Sequence, residues 1–147
     1  MRVSVIGGST VTDEEYEQAR RVGSVLGERG HELVCGGLTG VMEAACDGAG
    51  AAGGHTIGIL PDDDRASAND YVETAITTGM GNARNVLVVM NGDAVVAIDG
   101  STGTLSELGH ALDMGRPVAG IGTHKIGGVE HVETAAEAVD YVESAVQ

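Results

Sequence analysis

Residues 99–107, Asp-Gly-Ser-Thr-Gly-Thr-Leu-Ser-Glu, combine two kinds of chemistry in one short stretch. Gly100, Ser101, Thr102, Gly103 and Thr104 read as a turn whose successive backbone N–H groups and hydroxyls make a nest for an anion. A helix that follows such a turn adds the partial positive charge of its N-terminus. Glu107 stands three residues past Thr104, one turn into that helix and on the face nearest the nest. Phosphate repels a carboxylate, so Glu107 suits a sugar or a base, as hydrogen-bond acceptor or as general acid and base. A favourable charge at a helix N-terminus, worth about 0.3–1 kcal/mol, explains it equally well. Two further turns repeat the glycine pattern, Gly7-Gly8-Ser9 and Gly36-Gly37-Leu38-Thr39-Gly40. One such turn needs no more than tight backbone geometry, whereas three at equivalent places in one sheet favour a ligand site. Arg84 is the only basic residue between Arg65 and Arg116, which makes it a partner for phosphate or carboxylate as readily as for a surface ion pair.

Several familiar chemistries are missing. No Gly-x-Gly-x-x-Gly follows the first strand, and the second strand ends in Cys35-Gly36-Gly37 instead of an acidic residue for an adenosine ribose. There is no Gly-x-x-x-x-Gly-Lys-Ser/Thr loop either. Dehydrogenases and P-loop nucleotide hydrolases are therefore disfavoured. The histidines at 31, 55, 110, 124 and 131 show no metal-ligand spacing, so no metal site is expected.

The elements that must carry these turns alternate. Strand-like runs fall at residues 3–6, 31–35, 56–60, 71–76, 93–98, 117–122 and 130–133. Helical patterns fall at 12–28, 40–53, 80–89, with Arg84 projecting from it, 102–114 and from 134 onward, and 62–70 reads as a polar surface loop. Thr12 with Glu15 and Thr134 with Glu137 have capping-box spacing. The alternation implies an α/β architecture, a doubly wound, mostly parallel sheet with helices on both faces. The 147 residues suit one domain, residues 1–147. In such sheets ligands bind beyond the carboxyl ends of the strands, where the glycine turns lie.

Composition narrows the partners. A formal charge of −14, from 22 acidic against 8 basic residues with Lys125 the single lysine, argues against nucleic-acid backbone binding. Three tyrosines, with no tryptophan or phenylalanine, argue against base-stacking surfaces. Dispersed acidity with so little lysine suits a halophilic protein, because salt screens the self-repulsion. The longest apolar run, residues 85–90, is far short of the roughly 20 residues that span a bilayer, and the N-terminus opens into a strand. A cytoplasmic protein with no membrane partner is expected. Cys35 and Cys46 lie in apolar segments and suit reduced, buried thiols.

Three motifs taken together carry a resemblance that covers nearly the whole chain: Gly36-Gly-Leu-Thr-Gly-Val-Met42, Thr78-Gly-Met-Gly-Asn-Ala-Arg-Asn85 and the 100–107 segment. The set resembles the LOG-like superfamily, also labelled lysine decarboxylase-like, and within it the small DprA/Smf-related branch close to molybdenum-cofactor carrier proteins. The resemblance implies a Rossmann-like fold, a homodimer or homotetramer, and a nucleotide monophosphate or molybdopterin-type ligand. It places Gly36, Gly37, Gly40, Val41 and Met42 with Gly7, Gly8, Ser9 and the 100–104 turn at that ligand. In the Lonely-guy phosphoribohydrolases the signature Pro-Gly-Gly-x-Gly-Thr-x-x-Glu supplies a glutamate, and the preceding helix an arginine, for cleaving an N-glycosidic bond. Glu107 and Arg84 match those two positions. Asp99 replaces the signature's proline, Ser101 its second glycine, and Met80-Gly-Asn-Ala-Arg84-Asn85 stands for Met-His-x-Arg-Lys. These departures keep binding and weaken hydrolysis. The expectation is a carrier or binding protein for a phosphorylated small molecule, a nucleotide or pterin cofactor, with a nucleoside 5′-monophosphate phosphoribohydrolase as the alternative.

Overall fold

A computed structural model describes residues 1–147. Seven strands form one sheet: β1 (Arg2–Gly7), β2 (Glu32–Cys35), β3 (Thr56–Leu60), β4 (Thr74–Thr77), β5 (Ala94–Ile98), β6 (Val118–Ile121) and β7 (Val129–His131). Their order is β4-β3-β2-β1-β5-β6-β7, and every pair is parallel, so the sheet is wholly and not just mostly parallel. The five residues of β3 and of β5 are all buried, as strands covered on both faces require.

Five helices cover the sheet: α1 (Asp13–Glu28), α2 (Val41–Ala51), α3 (Asn85–Met90), α4 (Thr102–Asp113) and α5 (Ala135–Val146). One core joins α1, α2 and α5 to the sheet through Val22, Leu26, Ala45, Ala138 and Val142. The other joins α3 and α4 through Val88, Val89, Leu108 and Ala111. This is the Rossmann-like α/β arrangement that the alternation implied. The α1 and α2 backbones touch: a Cβ on Gly23 would stand 2.0 Å from the Ala45 carbonyl oxygen, and one on Gly48 would stand 1.9 Å from that of Arg20. No helix is long and apolar enough to cross a membrane.

The chain winds from β1 outward to β4, then returns to place β5 on the other side of β1. Gly7 pairs with Ile98 in the last register of that junction, so the turns after β1 and β5 leave the sheet side by side. A crevice opens where two neighbouring strands send their chains apart.

Three elements differ from the sequence reading. The expected helix at 80–89 is a 3-10 turn, Gly81–Arg84, followed by the short α3. Gly79 and Gly81 have φ of 63° and 60°, which prevents α-helical winding from starting earlier. The fourth strand begins at Thr74, because the Asn69 side chain accepts from the Tyr71 N–H at 3.0 Å and holds a turn there. Within the 62–70 loop a 3-10 turn, Arg65–Ser67, is capped by Asp64.

Candidate functional site

A cavity of about 200 Å³ opens at the β1/β5 crevice. That is smaller than the ~300–1,000 Å³ of typical small-molecule sites, so it holds part of a ligand and leaves the rest toward solvent. Gly7, Gly8 and Ser9 reach it from the β1–α1 turn, Gly36 and Met42 from the β2–α2 segment, and Ser101, Gly103 and Thr104 from the β5–α4 turn. Arg84 and Glu107 line it too. The three glycine turns, widely separated in sequence, therefore meet at one place.

The helix ends behind these turns differ. Thr12 and Glu15 form a complete capping box at the start of α1, whose first turn also carries Asp13, Glu14 and Glu15. The α1 end is thus both satisfied and acidic, and the Gly7-Gly8-Ser9 turn contributes backbone without a helix charge. By contrast α4 begins at Ser101, whose side chain makes no cap bond, and has no acid in its first turn. Helix α2 begins at Gly40, likewise with no side-chain cap. In α2 the Val41 N–H is taken by the Gly8 carbonyl, while those of Met42 and Glu43, like the first N–H groups of α4, are left to solvent or a ligand.

Arg84 is 6% exposed, not projecting as the sequence suggested. The 3-10 turn directs it inward, under the ends of β2 and β3. Its Nε donates to the Ile59 carbonyl at 2.9 Å, its Nη2 to the Gly36 carbonyl at 3.3 Å, and its Nη1 to Asn85 Oδ1. Burial lowers its pKa, partly offset by the charge of Glu107. Glu107 is 8% exposed and lines the same cavity as that guanidinium. Burial pushes its carboxyl up to about 7, with the Arg84 charge pulling the other way and no hydrogen bond contributing. A carboxyl in this state gains or loses a proton near neutrality.

Five expected site residues do not line this cavity. Val41 is fully buried in the core, and its N–H donates to the Gly8 carbonyl at 2.9 Å. Gly40, at φ 68°, lets the chain pass the same loop, since a Cβ there would stand 2.3 Å from the Gly8 oxygen. Gly37 packs against Leu60 and Gly58, and Gly100 makes room for the Thr104 side chain. Thr102 faces an adjoining open hollow with Ser106 and His110, which shares Asn82, Asn85 and Gly103 with the cavity.

The cavity adds five residues that the spacing did not single out as lining: Val5 and Ile6 at the end of β1, and Leu38, Asn82 and Asn85. Asn85 takes the Arg84 bond and donates from Nδ2 to Ser106 Oγ at 3.4 Å, while Ser106 Oγ donates to the Gly103 carbonyl at 2.7 Å. It therefore ties the 3-10 turn to the start of α4. Its adjacency to Arg84 was the available signal. Asp99 holds the only non-glycine left-handed backbone, φ 51°; its carbonyl accepts from the Thr123 hydroxyl at 2.8 Å. Such a conformation is uncommon and suits Asp better than most residues.

A wholly parallel, doubly wound sheet with its cavity at the switch point belongs to the Rossmann-like class. The chain is a member of the SLOG cluster4 family, whose model matches residues 1–147. It is 42% identical over 142 residues to an uncharacterized protein of Archaeoglobus fulgidus, covering 96% of this chain and 93% of that one. A cytokinin riboside 5′-monophosphate phosphoribohydrolase of Mycobacterium tuberculosis is 33% identical over 114 residues, which cover 76% of this chain and 59% of the enzyme's length. Among solved structures, the molybdenum cofactor binding protein of Rippkaea orientalis superposes with a TM-score of 0.93 at 32% identity, covering 99% of this chain and 97% of that one. The molybdenum cofactor carrier protein of Chlamydomonas reinhardtii gives 0.89 at 30% identity, with 97% and 96% covered. The chain is thus LOG-like and similar to molybdenum-cofactor carriers.

Proposed function

We propose that this protein binds a phosphate-bearing small molecule, a nucleotide or pterin cofactor, and holds it as a carrier. The phosphate sits at the Ser101–Gly103–Thr104 end of α4, and the remainder of the ligand extends past Glu107 and Met42. One observation carries the reading: the two helix N-termini that the sequence leaves uncapped open beside the same cavity, which a buried arginine also lines. N–H groups aimed at a cavity with a fixed cation behind it favour an anionic ligand. Similarity to the carrier and cofactor-binding structures supports a cofactor as that ligand. A carrier keeps its cargo, so mass spectrometry of protein denatured straight after purification should release a phosphorylated compound. Calorimetry that finds no binding of any nucleoside monophosphate or phosphorylated pterin would reject the reading.

Glu107 favours a second reading, a nucleoside 5′-monophosphate phosphoribohydrolase. A carboxyl pushed up to about 7 beside Arg84 is suited to protonating a leaving base, with the arginine orienting the sugar phosphate. Similarity to the mycobacterial enzyme supports it. Free base released from AMP or another nucleoside monophosphate distinguishes enzyme from carrier, and binding without turnover excludes the enzyme.

In the same proposal the chain is a single cytoplasmic domain that assembles as a homo-oligomer, which light scattering reads as a mass above one chain. The exposed side chain of Leu105 would be covered there. The charge of −14 leads us to expect a halophilic response, stability that rises from low to molar KCl.

A further inference from the structure

We propose that Cys35 and Cys46 are an oxidant-sensitive modification site, joining in a reversible internal disulfide that displaces Gly36 and loosens the anchorage of Arg84. Both thiols are free and fully buried, and their sulfurs lie 3.5 Å apart, in contact across the β2–α2 packing. A disulfide needs about 2.05 Å, so closure requires a movement of about 1.5 Å.

The packing decides which partner moves. Cys46 lies on α2, whose backbone already touches that of α1 at Gly23 and Gly48, leaving the helix no room to shift on that side. Cys35 ends β2 and leads into Gly36 and Gly37, the latter at φ 78°, beyond the strand's ladder and packed against the flexible side-chain ends of Met42 and Leu60, which can yield. The strain of closure therefore falls on the turn. The Gly36 carbonyl accepts from Arg84 Nη2 at 3.3 Å, longer than the 2.9 Å bond from Arg84 Nε to Ile59. A displaced Gly36 breaks the longer bond first.

The reaction balances with a peroxide as oxidant. The Cys35 sulfur attacks a peroxide oxygen; the O–O bond breaks, water leaves and Cys35 becomes a sulfenic acid. The Cys46 sulfur then attacks Cys35, the S–O bond breaks, and the hydroxide departs with the Cys46 proton as a second water. The two thiols lose two electrons and the peroxide gains them. Cys35 is the first nucleophile on geometry, because the Gly37 N–H donates to its sulfur at 3.3 Å. A hydrogen bond from Cys46 also holds the Cys35 thiol below its ordinary value against the effect of burial, while Cys46 is pushed up.

The test needs no ligand, so it stands or falls apart from the proposed function. Folded protein is treated with hydrogen peroxide, then denatured and alkylated, and free thiols are counted by mass spectrometry; the exposed Met80 and Met90 report the oxidant dose. The expected result is loss of both thiols together with two hydrogens, full recovery with dithiothreitol, and shifted Gly36, Gly37 and Arg84 Nε–H resonances in the oxidised form. Cys46→Ser should stop at the Cys35 sulfenic acid, gaining one oxygen instead of losing two hydrogens; Cys46→Ala, an alanine among alanines, replaces it if the serine variant does not fold. Thiols that persist after both methionines are oxidised overturn the proposal. So does a disulfide that leaves the Gly36 and Arg84 resonances unmoved, or a two-hydrogen loss that survives in the Cys46 variant.

Discussion

The helix N-termini of this molecule fall into two groups. At α1, Thr12 Oγ1 accepts from the Glu15 N–H at 3.2 Å while the Glu15 carboxylate accepts from the Thr12 N–H at 2.8 Å. At α5, Thr134 Oγ1 accepts from the Glu137 N–H at 3.2 Å, and the Glu137 carboxylate accepts from the Glu133 N–H at 2.9 Å. Helices α2 and α4 have nothing of the kind, and both begin beside the cavity. The closed ends cost nothing to leave facing solvent and serve as scaffold. The open ends forgo about 1 kcal/mol each of capping energy, a loss that is understandable where a ligand completes the cap.

The largest effect is expected where the open group is held together. Arg84→Ala leaves the Ile59 and Gly36 carbonyls without their donor, at about 1–3 kcal/mol each, and urea unfolding measures the sum. The same variant should lose phosphate-ligand binding in calorimetry with AMP as probe. Retained stability would show that the guanidinium is only a neighbour of the open ends and not their anchor.

Next comes Glu107, whose folded value of about 7 lies above its ordinary 4.5. Below about pH 4.5 both folded and unfolded chains hold this proton. Between that pH and about 7 only the folded chain holds it, so stability falls as pH rises through the window and levels off above. The shift is worth on the order of 3 kcal/mol. Glu107→Gln should flatten that fall in unfolding curves taken from pH 4 to 8. An unchanged slope would mean that another group sets it.

Ser101→Asp inverts the comparison directly by giving α4 a capping residue. A carboxylate at that position caps the open N–H groups, raising stability by about 1 kcal/mol. It also occupies the anion's place, weakening AMP binding by about tenfold or more, which is about 1.4 kcal/mol. Gain of stability with unchanged binding would separate the open end from the ligand.

Much of this was legible in the chain itself, and for physical reasons. Capping signals are local, so Thr12 and Thr134 announced α1 and α5, although only α1 completes the box and at α5 the Glu137 carboxylate takes the Glu133 N–H instead; buried parallel strands read as apolar runs whatever their neighbours. The three glycine turns could be seen to share the carboxyl edge of the sheet, because alternation alone fixes the edge. Which of those glycines face a cavity depends on strand order, and only the return of β5 to the side of β1 decides it. Gly37, Gly40 and Gly100 proved to serve close packing, with side chains or carbonyls occupying the space a Cβ would need. Arg84 read as projecting because a helix was expected from residue 80; the paired left-handed glycines 79 and 81 turned that segment and sent the side chain inward. The values of Arg84 and Glu107 come from burial, a property that no spacing encodes.

The smallest effect tests the closed group. Thr12→Ala removes the hydroxyl that accepts from the Glu15 N–H and keeps the Thr12 backbone N–H that bonds the Glu15 carboxylate, a loss of about 1 kcal/mol. Helix α1 carries no open N–H toward the cavity, so AMP affinity should stay unchanged while the melting temperature drops by several degrees, about 2–8 °C for a domain of this size. A fall in affinity instead would mean that the α1 end participates in ligand binding despite its cap and its three acidic residues, and that the Gly7-Gly8-Ser9 turn transmits the change. The division between closed scaffold and open site would then have to be drawn through the β1–α1 turn and not around it.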